Sequence, residues 1–530
     1  MAKWKKRKSK TGASGVCIGI GIAIILWAGV YREIPVERKM KMKFFPIAAR
    51  LPASIGALCC LLLASWSAAD AAGPSWIAEL SDIKAHEAKA NAIEIRTPVE
   101  TFITVGVYET EALNAQAPPA LAMDVYRIRH VGGEGSAGPI PRFLAPPELP
   151  DLPDFEAQTS WALRLYCRKQ GIYRVYIEGD GARSTVKVIV SEPVEKSNCG
   201  FGFYVDQNQH MYSENLPVQL DQMCEYGCNT LAFQPAGETG EESLRVTAKM
   251  LDHGVEIGLF DKDISVLIAG GMDGIRQFGK YPDKWPQLIM HLRDEPKRDD
   301  MARVYETRKQ ADALGVRLGA AISPAIAFPY GNLLNAWIVS AEHQSRLLRD
   351  KARRDGAEWW VYTGGLRASN AALSRYYSGL WTWKHRPRGN LARMYMDNKS
   401  SGVLADGGWR LQEADGKINT SAWALASPKG PIATVGLTGF RDGTVDYRIL
   451  CELERLIDQI TRGDNESRLP AEIYRDQLPK SVNFLGRLRD DVPSRFETSN
   501  SDLAEALPPL DCVEVRRRAL AFIEEFKPWE

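Results

Sequence analysis

Hydrophobic and polar positions alternate with a period of two from residue 91 onward. Ala92-Ile93-Glu94-Ile95 and the stretches 99–108, 125–131 and 161–166 read as strands rich in β-branched and aromatic residues. Stretches 171–177 and 185–190 flank Gly179-Asp180-Gly181 and predict a hairpin. About a hundred residues of strand pattern with no helix predict a β-sandwich over 73–196. Its lead-in, 73–90, carries helical spacing. No catalytic constellation is visible in this region. Its expected role is support for the next domain, with glycan binding as the other reading.

At Gly200 the rhythm changes to strands alternating with helices. Strands are predicted at 200–206, 230–234, 256–261, 287–292, 317–323, 337–340, 358–364 and 402–406. Helices are predicted at 216–226, 242–253, 300–314 and 342–355, with Gly227, Gly254, Gly315 and Gly356 at their ends, where a left-handed cap is easy for glycine. Eight strand–helix units over about 260 residues match a (β/α)8 barrel. The fold class is therefore α/β: a TIM-like barrel at 197–462 preceded by an all-β sandwich. A helix runs through Ile460, and 463–530 form an extension ending in a helix over 513–526.

Residues 1–72 read differently. Six basic residues fall in the first ten positions, then 16–31 is apolar. A second basic stretch around Lys41, Lys43 and Arg50 precedes an apolar run at 55–66 and small residues through Ala72. That order is a secretory signal, with the mature chain beginning near Ala72. The first run falls just short of the ~17–25 residues of a spanning helix, so it is a candidate membrane anchor, unless Met40 or Met42 is the true start. The expected location is outside the cytoplasm, periplasmic or extracellular, with membrane association through the apolar segment.

Composition is that of an ordinary globular protein, 45% hydrophobic and 25% charged, and the net charge is +1. With six cations at the N-terminus, the remainder is slightly acidic, which argues against nucleic acid as the main partner. Beyond residue 72 lie Cys167, Cys199, Cys224, Cys228, Cys451 and Cys512, an even number that permits pairing. Cys224 and Cys228, four apart with no second pair nearby, favour buried thiols or a disulfide over metal. Seven scattered histidines and the lack of a Gly-rich phosphate loop point to no metal and no cofactor.

The candidate chemistry sits at strand ends. In a barrel the working face lies at the C-terminal ends of the strands, so Asp206, Asp261, the Asp294-Glu295 pair and Asp406 would surround one mouth. Two neighbouring carboxyls cannot both ionise cheaply, so one pKa should rise. A protonated acid beside an ionised one is what glycoside cleavage requires. The competing reading is structural: Asp294-Glu295-Pro296 as a turn capping the helix near Asp299. The chain also has fourteen tryptophans and eighteen tyrosines, and these rings stack on flat sugar faces. Trp359 is expected in packing. Trp360, Tyr362, Trp381 and Trp409 are the candidates for the mouth, with one or two of them in the pocket.

Three segments in order, His291-Leu292-Arg293-Asp294-Glu295-Pro296, Trp359-Trp360-Val361-Tyr362-Thr363 and Phe440-Arg441-Asp442-Gly443-Thr444-Val445-Asp446-Tyr447, resemble glycoside hydrolase family 123 over roughly residues 91–460. The resemblance implies an O-glycosyl hydrolase acting on β-linked N-acetylhexosamine, N-acetylgalactosamine first, by substrate-assisted retaining catalysis. It implies Asp294 as the residue that orients the 2-acetamido group, Glu295 as the general acid/base, and Tyr362 as the tyrosine holding the acetamido carbonyl. Alongside it stand a two-carboxylate glycosidase pairing Glu295 with Asp261 or Asp406, and a non-catalytic protein binding glycan or envelope polysaccharide.

Overall fold

The structure is a computed structural model describing residues 76–81, 90–108, 110, 112–130, 142–145, 160–179, 182–195, 197–206, 216–234, 241–269, 271–279, 284–363, 370–393, 395–396, 401–403, 409–411, 423–425, 427, 429–462, 470, 472–494 and 510–527. The signal-like region and its candidate anchor lie outside them. Among the described residues no helix is long and apolar enough to cross a membrane.

Among the described residues nine strands build the first domain: β1 Trp76–Glu79, β2 Ala92–Pro98, β3 Thr101–Tyr108, β4 Asn114–Gln116, β5 Leu121–His130, β6 Arg142–Ala145, β7 Ser160–Cys167, β8 Gly171–Gly179 and β9 Ala182–Ser191. They form a five-stranded sheet, β1-β3-β7-β5-β6, and a four-stranded sheet, β2-β9-β8-β4. The lead-in expected to be helical contributes strand β1. Every residue of β3 is buried, on both faces. Ile103, Val105 and Val107 enter the sandwich core, while Phe102 joins the core of the barrel. Neighbouring β7 divides likewise: Leu163 and Leu165 face inward, and Arg164 reaches Glu225 at 3.2 Å and the Tyr226 hydroxyl on the barrel side. The sheet is thus covered on its outer face by the second domain.

That domain is a closed eight-stranded parallel barrel: β10 Gly200–Asp206, β11 Thr230–Gln234, β12 Val266–Ile268, β13 Leu288–Asp294, β14 Arg317–Ala321, β15 Ala336–Ser340, β16 Glu358–Thr363 and β17 Gly389–Ala392. β17 closes the ring against β10. Six of the eight strands fall where periodicity predicts them. The third does not. The helix Glu241–Glu256 runs on through Gly254 and is capped by Gly258, which takes φ +71°. Leu259 N–H then reaches back to the Gly254 carbonyl at 2.9 Å, a Schellman-type cap, and Leu259 and Phe260 pack at the helix end instead of in a sheet. The eighth strand is the short Gly389-Asn390-Leu391-Ala392 segment, not 402–406. Residues Ser401–Val403 (β18) pair antiparallel with Trp409–Leu411 (β19) in a separate hairpin.

The helix Val435–Arg462 follows, carrying the third resembling motif. Its glycines allow very close approach: a Cβ on Gly439 would lie 1.9 Å from the Ala371 carbonyl oxygen, and one on Gly443 2.0 Å from Ser378 Oγ. The acids of the motif are buried in an ion cluster. Arg375 donates to Asp446 at 2.7 Å and to Glu79 at 2.6 Å. Arg516, from the helix Cys512–Phe526, donates to Asp446, to Glu79 at 3.2 Å and to the Asp442 carbonyl at 2.9 Å. The Ser81 hydroxyl donates to Asp442. The six cysteines are free thiols, so the disulfide alternative for Cys224 and Cys228 is not realised.

Removing one partner of a buried pair leaves a stranded charge, so Arg375→Met should cost about 3–5 kcal/mol in urea unfolding. Burial pushes the Asp442 carboxyl up to about 6 from its usual 3.8. The folded chain therefore holds a proton there that the unfolded chain has released, and this group's contribution falls as pH rises through that window. Asp442→Asn should flatten the descent relative to the unaltered chain.

Candidate active site

The site forms where β13 leaves the barrel. Its register against β14 pairs His291 with Gly319 but Asp294 with Ala321, so β13 carries one extra residue between them. This bulge breaks the strict two-residue alternation, as the sequence requires if consecutive acids are to serve one ligand. Position 294 is brought opposite Ala321, whose methyl belongs to the barrel's inner cluster. Glu295 then takes φ +46°, left-handed backbone in a non-glycine residue, and its N–H donates to the Ala321 carbonyl at 3.1 Å. Such a conformation costs on the order of 1 kcal/mol and persists only where surrounding structure enforces it. Pro296 is buried behind it. The turn that starts the following helix is closed by another residue: Lys297 N–H donates to Asp300 Oδ2 at 2.9 Å. Capping therefore does not account for Glu295.

The exposed Glu295 carboxylate accepts a hydrogen bond from the Tyr362 hydroxyl at 3.2 Å. Tyr362 lies near the C-terminal end of β16, three strands around the barrel from β13. Its ring meets Tyr204 of β10 edge-on, with centroids 6.2 Å apart, and Tyr204 in turn lies 6.3 Å from the imidazole of His291. Sequence reasoning missed Tyr204 and gave His291 no role. The signal for Tyr204 was present: Phe201, Phe203 and Val205 form the outward set of β10, which leaves Tyr204 inward. His291 is fully buried, its Nε2 accepts the Ala321 N–H at 3.3 Å, and burial pulls its pKa down to about 4. Glu295, Tyr362, Tyr204 and neutral His291 thus converge on the C-terminal mouth.

The other predicted residues fare differently. Asp261 lies at the opposite end of the barrel. It precedes β12, its N–H bonds the Asn229 carbonyl just before β11, and its side chain accepts from the Asp263 N–H at 3.2 Å. Pairing it with Glu295 in a two-carboxylate scheme is therefore corrected. Trp360 is fully buried inside the barrel. Its indole N–H donates to Glu358 at 2.8 Å at the strand's start, and its ring occupies the space above Gly389. Trp381 is also fully buried, among the helices outside the barrel, stacked on Tyr377 at 5.3 Å and against His385. Neither can meet a ligand at the mouth, because neighbouring side chains enclose both. Trp359 packs outside the strands, as expected. Asp206 ends β10 opposite Gln234. Asp406 lies outside the described residues, and Trp409 is placed only as the first residue of β19. Among the described residues no cluster of His, Cys, Asp and Glu is arranged to hold a metal.

No family model matches the chain, and no curated protein matches it. Among solved structures, the chain shares its fold with a family 123 glycoside hydrolase from Clostridium perfringens, at a TM-score of 0.55 and 9% identity over 85% of this chain and 98% of that one. A GH10 xylanase with a bacterial Ig-like domain from termite gut covers 67% of this chain and 99% of its own at 10% identity and a TM-score of 0.28. The endo-β-1,4-mannanase of Thermotoga petrophila covers 48% and 76% at 11% identity and a TM-score of 0.30. The first likeness gives the sequence resemblance its structural counterpart: an eight-stranded parallel barrel carried beside a five-stranded antiparallel sheet and a four-stranded sheet in which β2 runs parallel to β9.

Between pH 6.5 and 4 the unfolded chain takes up a proton that folded His291 refuses, so this group's contribution falls as pH falls. His291→Gln should show a shallower loss of Tm over that range, measured as the difference from the unaltered chain. Asp442 acts in the opposite sense over the same interval.

Proposed function

We propose that the protein is a glycosidase that cleaves β-linked N-acetylhexosamine, N-acetylgalactosamine first, with the sugar's own acetamido oxygen as nucleophile. The observation that carries the reading is the Tyr362–Glu295 hydrogen bond at the C-terminal mouth, beside the bulge that brings position 294 opposite Ala321. Support comes also from the resembling motifs and from the shared fold with a family 123 glycoside hydrolase.

In this mechanism Asp294 stays ionised, accepts the acetamido N–H and stabilises the positive charge of the oxazolinium-like intermediate. Glu295 gives its proton to the departing glycosidic oxygen and later takes one from water. No protein nucleophile is needed, which sets this chemistry apart from enzymes with two carboxylates about 5–5.5 Å apart. Tyr362 orients the acid through its hydroxyl, and in the same reading that hydroxyl turns to the acetamido carbonyl once substrate is bound. Tyr204 supplies an aromatic wall. The order of basic, apolar and small residues through position 72 goes with action outside the cytoplasm on a carbohydrate substrate.

The test is a panel of aryl β-glycosides with and without the 2-acetamido group. Asp294→Asn and Glu295→Gln should each lower kcat by about 10²–10⁴-fold. The Glu295→Gln loss should shrink for leaving groups acidic enough to depart unprotonated. Full turnover by both variants, or equal cleavage of glycosides lacking the acetamido group, would overturn the proposal. Tyr362→Phe should reduce kcat/KM while leaving Tm within a few degrees.

A further inference from the structure

The end of the barrel opposite the mouth holds a cleft that the catalytic reading does not use. It has a volume of about 280 Å³ and lies where β16 and β17 begin and where the chain enters β10. Four arginines line it, Arg349, Arg353, Arg386 and Arg388, together with Trp359 and Tyr447; no acidic residue is among the lining residues. β16 spans six residues, so the cleft stands about 17–20 Å from the catalytic mouth.

The charges are only partly answered. Arg386 is ion-paired with Glu454. Arg388 is held by backbone carbonyls, those of Asn198 at 3.0 Å and Asp263, which fix its position without cancelling its charge. Arg349 donates to the His385 carbonyl at 3.2 Å and lies over the Trp359 ring. Among the described residues Arg349, Arg353 and Arg388 have no carboxylate partner. Trp359 is 94% buried, being 6% exposed, and its indole N–H has no hydrogen-bond partner among the described residues. Three like charges around one concavity repel one another, a cost that an anion would relieve. Forked guanidinium donors match oxyanion geometry. The volume lies near the lower limit of small-molecule sites and suits a single sugar-sized group, not a polymer.

We propose that this cleft binds a compact oxyanion ligand, a phosphate group either free or carried on a monosaccharide, at a site separate from the catalytic mouth. Arg388 and Arg349 form the fixed part, and exposed Arg353 closes over the anion.

The experiment is calorimetric titration of the full chain with galactose 6-phosphate, inorganic phosphate and galactose, at constant ionic strength held with chloride. Galactose 6-phosphate should bind in the millimolar range or tighter, and galactose should give no heat. Arg353→Gln, at an exposed position, should weaken binding by about fivefold or more, and addition of Arg349→Gln should remove it. Glycosidase activity of Arg353→Gln should equal that of the unaltered chain, and Glu295→Gln should leave phosphate affinity unchanged. Equal affinity for the two phosphates assigns the free anion; a preference of roughly tenfold for the phosphosugar assigns the carried one. Absence of binding for both, or unaltered affinity in Arg353→Gln and the double variant with native circular dichroism, overturns the proposal.

Discussion

The assembly depends on one buried charge cluster. Glu79 and Ser81 come from the first strand and the turn after it, Arg375 from a short helix late in the barrel, Asp442 and Asp446 from the long helix after the barrel, and Arg516 from the C-terminal helix. All six are buried. Segments separated by more than 400 positions are therefore fixed to one another by bonds that water cannot replace. Charges withdrawn from water are costly, and two guanidiniums shared among three carboxyls, one of which burial favours in its protonated form, offset that cost in part. The glycines at 439 and 443 make the pairing geometry reachable by letting backbones touch. The conspicuous acids of the third motif therefore belong to architecture, although by residue type alone they could have been mistaken for a catalytic pair.

That anchoring leaves the barrel free to divide its interior into two layers. At the floor, Arg317 pairs with Glu358 at 2.8 Å, Ser265 donates to Gln287 at 3.0 Å, and Trp360 fills the space beside Gly389. Above this closed layer, the inward positions carry Tyr204, His291 and Tyr362. The strained backbone of Glu295 stands at the boundary between the packed interior and solvent. A rigid floor permits such a conformation, because the neighbouring strands hold the Ala321 carbonyl that fixes it.

Periodicity carried most of the architecture. The change from a two-residue rhythm to alternating strands and helices marked the passage from the sheets to the barrel, and the run ending in Asp294-Glu295 located the fourth barrel strand. Two barrel strands were misread for local reasons. Glu256 to Asp261 reads as a strand but is the end of a helix and the cap and turn that follow it. Gly389-Asn390-Leu391-Ala392 resembles a loop, yet it is a strand held between β10 and β16, and its glycine leaves room for the Trp360 ring.

The aromatic residues show the limit most clearly. Trp360 and Tyr362 are two apart on one strand and point to the same side, but one lies in the sealed floor and the other near the open end. Hydrophobic pattern determined by itself that a sandwich precedes a barrel and that two acids end a barrel strand, because alternation and chain stops are properties of neighbours in sequence. Only the tertiary structure decided which depth of the barrel each inward residue occupies, that Asp261 faces the wrong end, and that a bulge sets position 294 opposite Ala321. Depth, register and enclosure arise from contacts between strands distant in the chain, which no local pattern encodes.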